Sequence, residues 1–308
     1  MKKILTRILC LMPLILLTNN YLLGQDSIKH NAANGIDKTK LRNAIILENS
    51  FYAGGMSYLQ WIWYKDHERV PFHFYNDWKG YRNVDKFGHA FGSYIESYAG
   101  YYLLRNAGVK KNQALIFGGT LGLILQTPIE IFDGIYEGWG FSWYDMAANT
   151  LGAGLLIGQE LLFDEQIIIN KFSYWESPYA AMSNGYLGET TMERFMYDYN
   201  GHTYWFSMPL NRFAYYEKIP DWLNIALGYS AGGMFGEFKN RRFFRGVEIP
   251  ETERYSQYLV SLDIDWRKIK TNNKFLKLLF KGMVFVKLPF PTLEINSKGE
   301  LKGHWLYY

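Results

Sequence analysis

The chain has 308 residues, with 33 Lys and Arg against 29 Asp and Glu, and 18% of its residues are aromatic. So many rings on so small a net charge exclude intrinsic disorder, and the modest basicity excludes a nucleic-acid binder, whose footprint is a strongly basic domain. The length allows two domains with a sizeable core, and a mean hydropathy of −0.19 excludes a chain built mostly of membrane spans.

The N-terminus carries Lys2, Lys3 and Arg7, then an apolar run from Ile8 to Leu17, then Leu22-Leu23-Gly24-Gln25. This is the pattern of a secretory signal peptide over 1–24, cleaved near Gly24 or Gln25, with an uncleaved anchor as the alternative. Cys10, the single cysteine, lies inside the apolar run with no small residues before it, so it makes a poor lipoprotein cysteine. Cleavage also exposes a polarity of charge. Residues 239–308 carry 14 Lys and Arg against 7 Asp and Glu, and residues 25–238 carry 16 against 22. Such asymmetry marks an interaction surface.

Residues 25–40 read as a mobile lead-in. The pattern is then helical, with helices predicted over 41–65, 84–106, 111–133 and 143–163 and an ordered, His- and aromatic-rich loop over 66–83. The last two helices are apolar enough to approach a membrane span. Both carry small residues four apart: Gly118 with Gly122, Gly154 with Gly158, and Ala148 with Gly152. Such pairs allow close helix crossings, either in a membrane or in a tightly packed soluble bundle.

Beyond residue 200 the period becomes two. Tyr258, Val260, Leu262, Ile264 and Trp266 alternate with polar neighbours, as do Ile225, Leu227 and Tyr229, and, more briefly, Tyr204, Phe206 and Met208. Short strands are also expected at 293–295 and 301–308. This alternation fits an antiparallel sheet with one wet face, and equally an outer-membrane strand with one lipid face. About five strands are too few for a closed membrane barrel, so a small sheet packed on the helices is expected. Lys274, Lys277 and Lys281 share one face of a predicted basic amphipathic helix. That helix suits an anionic lipid surface; the other reading is a solvated cationic face on a helix packed against its own sheet.

Chemistry-bearing residues gather at helical spacing. Asp85, His89 and Glu96 share one helix face, Glu130 and Asp133 another, and Asp145 with Asn149 a third. Ser142 and Asp145 give a capping-box-like helix start. Polar groups in such apolar segments are costly to bury singly, so they should converge. Two readings follow. In one, Asp85, His89, Glu130, Asp133, Asp145 and Asn149 form a hydrogen-bonded network that fixes helix register. In the other, they form a site where His89 is a general base with Asp85, Glu130, Asp133 and Asp145 as catalytic candidates, or where His89, Glu130 and Asp133 hold a divalent metal. A third possibility is a ligand cleft near Trp139 and Trp143. The sequence has no nucleophile elbow and no phosphate-cradling glycine loop.

Asp85-Lys86-Phe87-Gly88-His89-Ala90, then Glu130-Ile131-Phe132-Asp133-Gly134, then Gly140-Phe141-Ser142-Trp143-Tyr144-Asp145 with Asn149 and Gly152-Ala153 occur in that order. Over about 85–158 they resemble the steps of the predicted periplasmic (lipo)protein family typified by YfiM. Phe74-Tyr75-Asn76-Asp77 is similar to its longer, Bacteroidetes-type members. The helical pattern is more distantly similar to VanZ-like membrane proteins. The resemblance implies an envelope location and a polar triad, and no reaction. The expected protein is therefore α+β: a four-helix, membrane-associated bundle over 41–170, then a β-rich region with an amphipathic helix over 171–308. It is expected on the periplasmic side of a membrane, such as the outer membrane, as an interaction module touching envelope lipid. No cofactor is required. The alternative is a hydrolase-type or metal-dependent enzyme acting on an envelope lipid or glycan headgroup.

Overall fold

A computed structural model describes residues 35–212 and 219–308. The predicted signal peptide, most of the predicted lead-in and Cys10 lie outside the described residues. The fold is α+β, and the chain divides into two compact units. The helical unit holds residues up to Asp77 together with His89–Gln166, and the sheet unit holds Trp78–Gly88 together with Ile167–Tyr308. The boundary thus falls inside one helix, between Gly88 and His89.

In the helical unit, α1 (Lys38–Leu59) starts at Asp37, whose side chain accepts from the Thr39 and Lys40 amides, and runs on into a wider π turn, Gln60–Tyr64. The next helix, α2 (Val84–Asn106), lies within its predicted bounds. The single helix expected over 111–133 is broken into α3 (Lys111–Phe117) and α4 (Leu121–Asp133). The interruption falls at Gly118–Gly119–Thr120, where glycine weakens the helix. Ser142 caps α5 (Trp143–Phe163) by accepting from the Tyr144 and Asp145 amides, and Asp164 ends it in a left-handed conformation.

Helix crossings explain two of the three small-residue pairs. A side chain at Gly122 would meet the Ser93 carbonyl oxygen at 2.0 Å, and one at Gly152 would meet that of Ala90 at 2.2 Å. A side chain at Gly118 would meet the Gly100 backbone at 2.5 Å. So α2 receives α4 and α5 through glycines, and backbone meets backbone. Gly154 and Gly158 face no atom within 4 Å, although their spacing is the same.

The sheet unit is a six-stranded antiparallel sheet. Its strands are β1 (Ile169–Tyr174), β2 (His202–Pro209), β3 (Leu223–Gly232), β6 (Tyr255–Ile264), β7 (Phe290–Asn296) and β8 (Leu301–Tyr307), in that spatial order. Between β3 and β6, the short β4 (Phe243–Phe244) and β5 (Val247–Glu248) pair as a separate ladder. Short helices α6 (Pro178–Met182) and α7 (Thr191–Tyr197) join β1 to β2, and α8 (Lys274–Gly282) joins β6 to β7. The sheet curls. The Trp205 ring on β2 meets Tyr307 on β8 at 6.0 Å, and Trp175 stacks on Tyr308 at 4.1 Å.

The polarity of this sheet departs from that of a small soluble sheet with its apolar face packed away. The polar face is the buried one: Lys171 and Asp263 are each 1% accessible at their side chains, and Ser207, Asn224, Ser261, Thr292 and Glu294 are buried with them. The apolar row faces out. Phe87, at the start of α2, stacks on Tyr229 and covers the β1–β3 end of that row. The β6–β8 end is bare, with Val260, Leu262, Leu293, Ile295 and Trp305 exposed, the last at 89%.

Candidate functional site

The helical unit concentrates its polar groups where α2, α4 and α5 meet. His89 sits in the second turn of α2, its side chain 15% accessible. Its Nδ1 faces Glu130 Oε1 at 3.4 Å, and its Nε2 faces Asp145 Oδ1 at 3.7 Å. Glu130 is fully buried, and its second oxygen takes the Ser142 amide at 3.4 Å. The cap residue is itself fixed, because Ser142 Oγ donates to Asp77 Oδ1 at 2.6 Å. One turn along each helix, Ser93 Oγ donates to the Asn149 carbonyl at 2.6 Å. The imidazole is thus set between two carboxylates, with the Asn149 side chain buried one turn from Asp145 on α5.

Asp133 is engaged elsewhere, accepting the Tyr64 hydroxyl proton at 2.5 Å. Glu96 lies two turns beyond His89 and accepts from Gln126 Nε2 at 3.0 Å, and burial pushes its carboxyl up to about 8. Asp85 is one turn before His89 on α2. Within the sheet unit it accepts from the Tyr199 hydroxyl and pairs with Lys86, both at 3.0 Å.

Trp139 and Trp143 fall in separate aromatic groups. Trp139 packs edge-on against His67 and Tyr64, and its carbonyl meets His73 Nε2 at 2.7 Å. Trp143 is exposed, stacked beside Phe74 and edge-on to Phe141.

The predicted basic helix forms as α8, with three faces. Lys274, Lys277 and Lys281 line one. Phe275, Leu278 and Leu279 line the next and are exposed. The third turns toward its own unit, with Phe280 stacked on Trp266. The bare end of the sheet holds a groove of about 480 Å³ lined by Ile225, Val260, Leu262, Leu293 and Trp305 over Gly303.

Sequence reasoning missed Asp77, Ser93 and Tyr64. Ser93 was open to detection, four residues after His89 on the same helix face. Also missed was a strained turn, Tyr81-Arg82-Asn83, in which three successive residues hold φ of 44°, 51° and 65°. Left-handed backbone is unfavourable for Tyr and Arg and persists only when the surroundings impose it. Here the Tyr81 amide donates to the Glu237 carbonyl, and the Arg82 carbonyl accepts from the Tyr229 hydroxyl.

The polar seam lies within the segment of the chain that a known family covers. Residues 74–158 match the model of a family described as predicted periplasmic lipoprotein (DUF2279), whose function is unknown. That segment contains Asp77, His89, Glu130, Ser142, Asp145 and Asn149, and ends before the sheet. A likeness to VanZ-like membrane proteins is not shown. No curated protein and no solved structure matches the chain.

Proposed function

We propose that this protein works at a lipid surface on the periplasmic side of the envelope, as a membrane-associated interaction module rather than a soluble enzyme. The observation that carries this reading is the inverted sheet. An antiparallel sheet with buried Lys171, Asp263 and Glu294 and exposed Val260, Leu262, Leu293 and Ile295 has the apolar-out, polar-in alternation of strands that face lipid. That pattern favours the outer membrane as host. Two further features support the reading. The basic and apolar faces of α8 suit anionic headgroups and acyl chains respectively, and exposed Trp305 and Trp222 suit the boundary between them. Among the described residues, the stretch Lys111–Asp133 is long and apolar enough to cross a membrane, and 28% of its most apolar 18 residues are buried.

The test is cosedimentation of the purified protein with phosphatidylcholine vesicles, with and without phosphatidylglycerol. Binding is expected, and it should be stronger with the anionic lipid. Replacing Lys274, Lys277 and Lys281 together by Gln should weaken binding to anionic vesicles by roughly 100-fold, at about 1 kcal/mol per cation near the surface. Leu293→Ser with Ile295→Ser should weaken binding to both vesicle types. A protein that stays in the supernatant of both at low salt would end the proposal.

A further inference from the structure

We infer that the helical unit binds one divalent first-row transition-metal ion between His89 and Asp145, with the Asn149 amide oxygen as a further ligand and Glu130 as a positioning residue. This inference is independent of the lipid-surface reading.

A neutral imidazole has one N–H, and His89 turns a nitrogen toward each of two carboxylates. Whichever tautomer forms, one nitrogen lone pair faces a carboxylate oxygen. That contact needs either a further proton, on the ring or on a carboxyl, or a metal ion between the two.

Distance separates these two cases. The 3.7 Å between His89 Nε2 and Asp145 Oδ1 is too long for a hydrogen bond. Two ligands of one ion, each bound at roughly 2.1 Å with a near-tetrahedral angle, lie about 3.4 to 3.6 Å apart. The 3.7 Å gap lies just above that span, so a small closure of the two side chains would seat an ion.

The other side of the ring fits the same assignment. A metal-binding histidine commonly directs its second N–H at a carboxylate, which fixes the tautomer and the ring plane. Glu130 stands at that position, 3.4 Å from Nδ1, fully buried and tethered to the Ser142 amide.

The Asn149 side chain is the second, independent observation. It is fully buried, and among the described residues neither its amide nitrogen nor its amide oxygen has a hydrogen-bond partner. A buried amide left so is costly. It lies one turn beyond Asp145, on the α5 face that meets α2, where the Asn149 carbonyl takes Ser93 Oγ and Gly152 abuts Ala90. A metal ion in the seam would satisfy its oxygen. One imidazole with oxygen donors suits zinc, manganese or ferrous iron, and a purely oxygen-seeking ion less well.

The full chain, stripped with chelator, is titrated with Zn²⁺ by calorimetry and with Co²⁺ by visible absorption. One equivalent is expected. His89→Ala and Asp145→Asn should each weaken binding by roughly 100-fold or more. Glu130→Gln should keep one equivalent and weaken it by roughly 10- to 100-fold, the mark of a residue that orients a ligand. Asn149→Leu, which keeps the branched shape and removes the oxygen ligand, should weaken binding in a folded chain. X-ray absorption of the zinc-loaded wild type should show a single imidazole among oxygen ligands, a reading that needs no variant to fold. No uptake by the wild type would overturn the assignment. So would an all-oxygen shell, or wild-type affinity in a folded Asp145→Asn.

Discussion

The two units bury polar groups in opposite ways. The sheet unit closes its charges against one another: Lys171 Nζ and Ser207 Oγ each meet Asp263 Oδ2 at 2.6 Å, and His304 meets Glu294 at 2.7 Å. Lys287 joins this interior through Ser261, and burial lowers its ammonium to about 8. In the helical unit the charged groups around His89 stand wider apart, at 3.4 and 3.7 Å, although Ser93 and Ser142 beside them bond at 2.6 Å. A network at full hydrogen-bond contact is spent on holding the fold. A seam of the same residue types at slightly greater distance leaves its charges less fully paired. That contrast separates the structural network from the candidate site more sharply than residue identity does.

The contrast can be broken experimentally. The largest effect is expected at Asp263. Asp263→Ala leaves Lys171 buried without its carboxylate and should cost about 3–5 kcal/mol in denaturant unfolding. A loss below about 1 kcal/mol would mean the sheet interior is wet and the contrast false. Next comes Glu96. Its carboxyl titrates higher in the folded chain than in the unfolded one, so its stabilising proton is fully counted below pH 4.5 and lost as pH rises through about 8. Glu96→Gln should match wild type near pH 4 and exceed it above pH 8, as read by denaturant midpoints across pH. Parallel curves would show that Glu96 is not buried as an acid. A smaller loss is expected at the helix crossing. Gly122→Ala drives a methyl onto the Ser93 carbonyl and should cost about 1–3 kcal/mol, whereas Gly154→Ala, with open space around it, should be neutral or slightly stabilising. Equal thermal shifts for the two would refute the crossing.

Much of the fold was legible where a local rule decides it. Helix α5 begins at Ser142 because a hydroxyl there caps its first turn, and the sequence shows that directly. The pairing of His89 with Asp145 and Glu130 followed from turn spacing combined with the cost of burying polar groups singly. What spacing cannot say is which neighbour a face meets. Gly118/Gly122 and Gly154/Gly158 look alike in sequence, and only the first pair lies at a crossing. Alternation along β6 announced two faces, but not that Ser261 and Asp263 point inward while Val260 and Leu262 point out. Strand β1 gave no alternation because Ile169 through Ser173 are all buried. The turn at Tyr81–Asn83 was hidden because Tyr and Arg carry no left-handed signature.

That turn also sets the order in which the molecule can assemble. Segment 78–88 opens α2, yet its fastenings lie far along the chain. The Arg82 carbonyl waits for Tyr229, 147 residues on. The Arg82 guanidinium waits for Ser256 and then Ser297, at separations of 174 and 215. Contacts this distant in sequence slow folding, because the intervening loop must close before they repay it. A chain delivered N-terminus first across a membrane would hold the head of α2, Asp85 included, unfastened until β3, β6 and β7 had followed. The strained turn is therefore a late latch. A fragment limited to residues 74–158 would carry the seam and lack every one of these fastenings.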